Sequence, residues 1–235
     1  LKISRIARLN DDELTKQVMA VSNRSESIDQ NFQPGKLLMS AIRFNESQFR
    51  NAMEPFLKNY GIEDAYIRFL NPLLEKSRIL WQTGSLTRAQ EQFVRNIVRQ
   101  ILIFEDTLLK SSTGKTGPSV AMINTSVNLP DNNFLFYKYM LKKRGFDVIF
   151  TGGILPASEV IEIHKLKTFD YLVVNSSAFD FARKKIGYFS SIGKSLLIKR
   201  IILTDYPEQS EKALPDNILI TRTPSEFRKI IATLR

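Results

Sequence analysis

The sequence predicts two architectures in succession: an all-α bundle, then an α/β domain with a doubly wound, parallel five-stranded sheet of the flavodoxin-like or Rossmann-like kind. Three observations predict it. Apolar residues recur at helical spacing through roughly the first 110 residues. The polar segment Ser111-Ser112-Thr113-Gly114-Lys115-Thr116-Gly117-Pro118-Ser119 then interrupts that pattern. Beyond it, short apolar runs are separated mostly by helical ones, as in a parallel sheet covered on both faces.

The helices follow in order. Asp11-Asp12-Glu13 places acids ahead of Leu14, Val18 and Val21, which suits a helix start. Pro34 is positioned to open a second helix through Leu37, Leu38, Ala41 and Ile42. Asn45 with Gln48 three residues on forms a capping box for a third, carrying Phe49, Met53, Phe56 and Leu57 and predicted to stop at Gly61. Ile67, Leu70, Leu74 and Leu80 mark a fourth, with Pro72 as a local bend, and Thr87 with Gln90 caps a long fifth through Phe93, Ile97, Ile101 and Phe104. Short loops between amphipathic helices make antiparallel neighbours.

The strands expected are Val120–Ile123, Val148–Phe150, Tyr171–Val174, either Leu196–Ile198 or Ile201–Leu203, and Ile218–Ile220. Helical patterns lie at Phe134–Lys143, Ala157–Leu166 and Ser225–Leu234. The domain division is therefore 1–10 as a linker remnant, 11–112 as the bundle and 118–235 as the α/β domain. Ligands of such sheets bind beyond the carboxyl ends of the strands.

Composition bounds the function classes. Of 235 residues, 43% are apolar and 25% charged, ordinary globular values that exclude a disordered chain. No apolar run reaches the ~18 residues of a membrane span, so a cytoplasmic protein without a membrane partner is expected. The absence of cysteine excludes disulfides, thiolate metal sites and Cys nucleophiles. A net charge of +10 favours acidic partners, but it is spread: residues 1–110 carry +3 and residues 111–235 carry +7. Clusters such as Lys142-Lys143-Arg144 suit helix C-termini.

Chemistry-bearing motifs are few. His164 is the single histidine and falls within a helical pattern, away from every strand end. One histidine without cysteine builds no zinc site, and no partner suggests Ser/His/Asp catalysis. Gly114-Lys115-Thr116 lacks the earlier glycine and preceding strand of a phosphate loop, and Gly152-Gly153 does not complete a dinucleotide fingerprint. No convergent acid/base set supports a small-molecule enzyme.

Leu80-Trp81-Gln82-Thr83-Gly84-Ser85-Leu86-Thr87-Arg88-Ala89-Gln90-Glu91-Gln92-Phe93 carries the most information. It resembles the cobalamin-binding C-terminal modules of MerR-type transcriptional regulators, the family of the CarH repressors, in which a Trp ends a bundle helix and a Gly turn and a Glu-His pair follow. Trp81, Gly84 and Glu91 occupy those places, while Gln92 stands in the histidine position. Arg144-Gly145-Phe146-Asp147-Val148-Ile149-Phe150 resembles the second-strand phrase of the same family. Aligning back from it brings Asn128, Pro130 and Asn133 onto the family's Asp, lower-ligand His and Gly. Proline cannot ligate cobalt, and an amide is a poor substitute for imidazole. Lys2-Ile3-Ser4-Arg5-Ile6-Ala7-Arg8-Leu9 resembles the closing helix of a MerR winged-helix domain.

The resemblance implies a non-enzymatic region of a MerR-like regulator, serving effector sensing and homo-oligomerisation and reaching DNA through an N-terminal domain outside this chain. With both histidines replaced, no cofactor is expected and cobalamin binding is taken as lost. The ligand-binding set it implies is Trp81, Gln82, Glu91 and Gln92 from the bundle, with Asn128, Asn133, Gly152 and Ser176 from strand ends, open to a different small-molecule effector. The alternative is a corrinoid-binding carrier module of a methyltransferase or mutase system.

Overall fold

A computed structural model describes residues 34–109, 117–124, 131–176, 192, 196–205 and 217–234. The chain forms two compact units, residues 1–103 and 104–235. This division falls within a helix, while part of the polar segment expected to separate the domains lies outside the described residues, as does the helix expected near Asp11–Val21.

In the first unit, α1 (Pro34–Ile42) starts at its proline and buries Leu37, Leu38 and Ala41 completely. The helix α2 (Glu46–Ala65) is capped as predicted, with Asn45 Oδ1 accepting from the backbone N–H of Gln48 at 2.9 Å. Its regular helical backbone breaks at Gly61, as the sequence predicts. That glycine takes φ 68 and ψ 166, outside the helical region, and a second helical stretch follows it to Ala65 with Ile62 and Ala65 buried. A π-helical turn, Tyr66–Leu70, joins α2 to α3 (Asn71–Gln82) and packs the Phe69 ring at a tilt against Phe56 and Tyr60, with centroids 5.0 and 5.4 Å apart. Pro72 therefore sits in the first turn of α3, where its missing N–H costs least. The long α4 (Arg88–Leu108) is closed by the reciprocal bonds of Thr87 and Gln90, and turns Val94, Ile97, Val98, Ile101 and Leu102 inward.

The second unit contains β1 (Ser119–Asn124), α5 (Asn132–Lys143), β2 (Asp147–Ile154), α6 (Ala157–Leu166), β3 (Tyr171–Asn175), β4 (Arg200–Thr204), β5 (Ile218–Ile220) and α7 (Pro224–Thr233). The five strands are all parallel, in the order β2-β1-β3-β4-β5. Of the two runs competing for the fourth strand, Ile201–Leu203 pairs in β4, whereas Leu196 and Ile198 pack into the core before it. That core face joins Ala121, Ile123, Leu172, Val174, Ile201 and Leu203 of the sheet to Val160 of α6. With β2 on one side of β1 and β3 on the other, the chain reverses its winding between β1 and β3. Their carboxyl ends are the topological switch point of the sheet. Among the described residues, no helix is long and apolar enough to cross a membrane.

Candidate functional site

Each apolar strand at the switch point closes on a buried polar residue. Asn124 ends β1, Asn175 ends β3 and Thr204 ends β4, and the parallel register sets all three level, with Asn124 opposite Asn175 and Asn175 opposite Thr204. Burial obliges such groups to find partners. Asn175 Nδ2 donates to Asn124 Oδ1 at 3.2 Å and lies 3.4 Å from Asp131 Oδ2. Asp131 is the N-cap of α5, its Oδ1 accepting from the N–H of Phe134 at 2.8 Å. Ser176 donates through both its backbone N–H and its hydroxyl to the carbonyl of Thr204, at 3.0 and 2.5 Å.

Asp205 follows β4 in the left-handed region, at φ 54. Its Oδ1 accepts from Asn133 Nδ2 at 2.9 Å and from the Tyr137 hydroxyl at 3.4 Å. Its Oδ2 is buried and, among the described residues, accepts no hydrogen bond. Burial, reinforced by the negative charge of Asp131, pushes the Asp205 carboxyl from 3.8 up to about 7, although the bonds from Asn133, Tyr137 and Thr204 pull the other way. The strand ends thus hold an amide-, hydroxyl- and carboxylate-lined cluster. Among the described residues, no group of three or more His, Asp or Glu side chains is arranged to hold a metal.

Of the residues singled out from sequence, Asn133 and Ser176 belong to this cluster, one through Asp205 and the other through Thr204. Gly152 takes φ 71 in the irregular part of β2, where the register with β1 shifts between Met122 and Asn124. Asn128 lies outside the described residues. The other four belong to the first unit. Trp81, at the end of α3, is 39% exposed, and Gln82 and Gln92 are exposed as well. Gly84 makes the turn after Trp81 with φ 75. Glu91 is buried and accepts from Arg95, one turn along α4, at 2.6 Å. Sequence reasoning missed Asn124, Asp131, Tyr137 and Asp205 as members of one cluster. The available signal was the asparagine closing each of the two apolar runs, Ile123-Asn124 and Val174-Asn175.

His164 is in the last turn of α6, where Nδ1 accepts from the N–H of Phe169 at 3.3 Å and the ring meets the Phe169 ring edge-on at 4.5 Å. The chain's one imidazole is therefore engaged in a helix-to-strand connection.

A helical region followed by a Rossmann-like parallel sheet is the architecture of corrinoid-binding proteins, and solved structures share it. The monomethylamine corrinoid protein of Methanosarcina barkeri matches with a TM-score of 0.65 at 13% identity, over 83% of this chain and 95% of that one. More distant matches are a methanol:cobalamin methyltransferase complex from Methanosarcina barkeri and a cobalamin-binding protein from Desulfitobacterium hafniense, both at 12% identity. Their TM-scores are 0.37 and 0.36, over 100% and 86% of this chain and 90% and 98% of theirs. No protein-family model matches the sequence, and neither does any curated protein.

At this identity the likeness is one of fold. It nevertheless corrects the expectation that the chain takes no cofactor, because the solved protein whose architecture it shares at a TM-score of 0.65 is by name a corrinoid protein. The expectation equated loss of a cobalt ligand with loss of the whole ligand. A corrinoid is a large body that brings its own axial base, and most of a ligand's binding comes from buried surface rather than from one coordinate bond. What does not fit this chain is ligation of cobalt by cysteine or histidine: it has no cysteine, and its single histidine is committed to Phe169.

Proposed function

We propose that the chain is a corrinoid-binding effector module of a transcriptional regulator, one that holds a corrinoid on its own axial base and supplies no cobalt ligand. The observation that carries the corrinoid part is the match of bundle and sheet together to a corrinoid protein. Support for the regulator part is the spacing of Trp81, Gly84 and Glu91 and the Lys2–Leu9 phrase, both of which resemble MerR-type regulators. A sensor needs only different affinities for ligand in two states of assembly, and no reacting group of its own. Such a module is non-catalytic and acts as a homo-oligomer beside a DNA-binding domain.

A second reading, a corrinoid carrier serving a methyltransferase, is favoured by the same match, since the protein matched is itself named a corrinoid protein. The two separate in one experiment. The chain is incubated with cobalamin, passed through gel filtration, and sedimented with and without the ligand. Co-elution with a base-on spectrum together with a ligand-dependent change of assembly is the result expected of the sensor. Co-elution at constant assembly favours the carrier, and a colourless protein overturns both.

A further inference from the structure

Positive charge that is spread along the sequence is gathered by the fold at one edge of the sheet. The parallel register sets Ser119 level with Asp147, Val120 with Tyr171 and Tyr171 with Arg200, so β1 to β4 begin side by side. To that amino edge α5 delivers Lys143 and Arg144 just before β2, and α6 delivers Lys165, Leu166 and Lys167 before β3, while Lys199 and Arg200 open β4. Backbone bonds tie these stretches together: the Asp147 N–H donates to the Pro118 carbonyl at 3.1 Å, and the Lys199 N–H to the Asp170 carbonyl at 2.8 Å. The Ser119 hydroxyl donates to the Thr168 carbonyl at 3.1 Å. All six cations, Lys143, Arg144, Lys165, Lys167, Lys199 and Arg200, are exposed.

Among the described residues, four carboxylates face them. Glu162 pairs with Lys165, Asp147 with Lys167 and Asp170 with Lys199, while Glu105 feels the charge of Lys143. The three paired lysine side chains remain 54–63% exposed, and ion pairs so open to water are weak and exchange readily for another anion. The macrodipole accounts for cations at the ends of α5 and α6. It does not account for Lys199 and Arg200, which open a strand. At the opposite, carboxyl edge the helix starts carry Asp131, Glu159 and Glu226, so the charge reverses across the sheet.

We infer that the amino edge of the sheet is a phosphate-contacting surface, by which this module itself lies against the backbone of duplex DNA. The inference deepens the regulator reading and rests on it. Strands lie ~4.8 Å apart, so the edge from β2 to β4 spans ~14 Å. A duplex presents about eight phosphates over that length, enough to face the six cations. Contacts of this kind hold and orient a protein on DNA without reading sequence. Ligands of such sheets enter at the carboxyl edge, so one module can hold an effector and DNA together.

The test is fluorescence anisotropy of the full chain with a labelled mixed-sequence duplex at several salt concentrations. Affinity should fall steeply with salt. Lys165→Gln, Lys167→Gln, Lys199→Gln and Arg200→Gln combined should weaken binding by ~10-fold or more and reduce the salt slope by ~2 or more. Removing four exposed charges from the first unit, with Lys36→Gln, Lys58→Gln, Arg78→Gln and Arg88→Gln, should weaken it far less. In the unaltered chain, DNA should protect Lys165, Lys167 and Lys199 from amine acylation, a readout that requires no variant to fold. Equal losses in the two variants would reduce binding to the overall charge of +10 and overturn the inference, as would acylation indifferent to DNA. Leu166 and Leu197, 89% and 100% exposed, stand just before Lys167 and Lys199 in the chain and offer nothing to phosphate, so Leu166→Ser with Leu197→Ser should leave DNA binding unchanged. Binding to phosphatidylserine vesicles that is lost in this leucine variant, with no DNA binding, would assign the edge to lipid and overturn the inference. Cobalamin-dependent assembly without edge-dependent DNA binding overturns it and leaves the sensor reading standing; edge-dependent DNA binding without that change of assembly does the reverse.

Discussion

The side-chain amide of Asn175 donates to Asn124 Oδ1 at 3.2 Å, across the two strands where the sheet reverses its winding. Both residues are buried at the end of an apolar strand, so each would be costly alone, and the bond offsets that cost while fixing which residues lie level at the carboxyl edge of the sheet. Through Asp131 the same amide reaches the cap of α5.

Replacing Asn175 by Ala should therefore cost about 1–3 kcal/mol, the usual penalty for stranding a buried hydrogen-bonding group. Urea unfolding measures it. Asn124→Ala should cost a similar amount, and the double variant less than the sum of the two, since the residues share a bond. Strict additivity would show that the two amides are not coupled.

Glycine positions give a sharper contrast. A Cβ on Gly117 would lie 2.2 Å from the backbone carbonyl oxygen of Gly145, so Gly117→Ala must push apart two backbones and should cost ~1–3 kcal/mol or more. Gly153 has open space around its would-be Cβ and no positive φ, so Gly153→Ala should be neutral or stabilising by up to ~1 kcal/mol. Thermal unfolding of the pair tests the prediction; equal midpoints would refute it.

Much of this fold is legible in local rules because the deciding forces are local. Asn45 with Gln48 and Thr87 with Gln90 announce helix starts through bonds spanning three residues, and both are made. The exclusive apolar content of Tyr171–Val174 announces a strand buried on both faces. Gly61 reads as a stop because glycine tolerates positive φ, and the helical backbone does break there, a new helical stretch beginning beyond it. The strand-end cluster is less legible. Asp131 and Asp205 are 74 positions apart in the chain and become neighbours only through sheet order, which no local pattern encodes. The cofactor was misread for a different reason: absence of a coordinating side chain says little about a ligand bound largely by surface.

The acid–base balance of stability should show two opposite contributions. Asp205 has a raised carboxyl, so the folded chain binds more protons than the unfolded one between pH ~4 and ~7. Its contribution is fully present below the ordinary carboxylate value and is lost as pH rises through about 7. Asp170 is held below its ordinary range, first by the N–H of Ser119 at 2.8 Å and then by Lys199, against a desolvation that works the other way. Its contribution is present above the ordinary carboxylate value and lost as pH falls through the lowered one. Denaturant midpoints recorded across pH 3–8 should lose the neutral-side decline in Asp205→Asn and weaken the acid-side decline in Asp170→Asn. Unchanged profiles in both variants would contradict these assignments.

The final prediction concerns the single imidazole. If a corrinoid binds, His164 should not be its ligand, because Nδ1 already accepts the N–H of Phe169 and the ring packs edge-on against that phenyl group at the end of α6. Replacing His164 by Ala removes one hydrogen bond and an aromatic contact, which should cost on the order of 1–3 kcal/mol in urea unfolding. The visible spectrum of the cobalamin complex and its dissociation constant should be the same in His164→Ala as in the unaltered chain. A change from a histidine-ligated to a base-on spectrum upon this substitution would show that α6 surrenders its histidine on binding, and that the chain supplies a cobalt ligand after all.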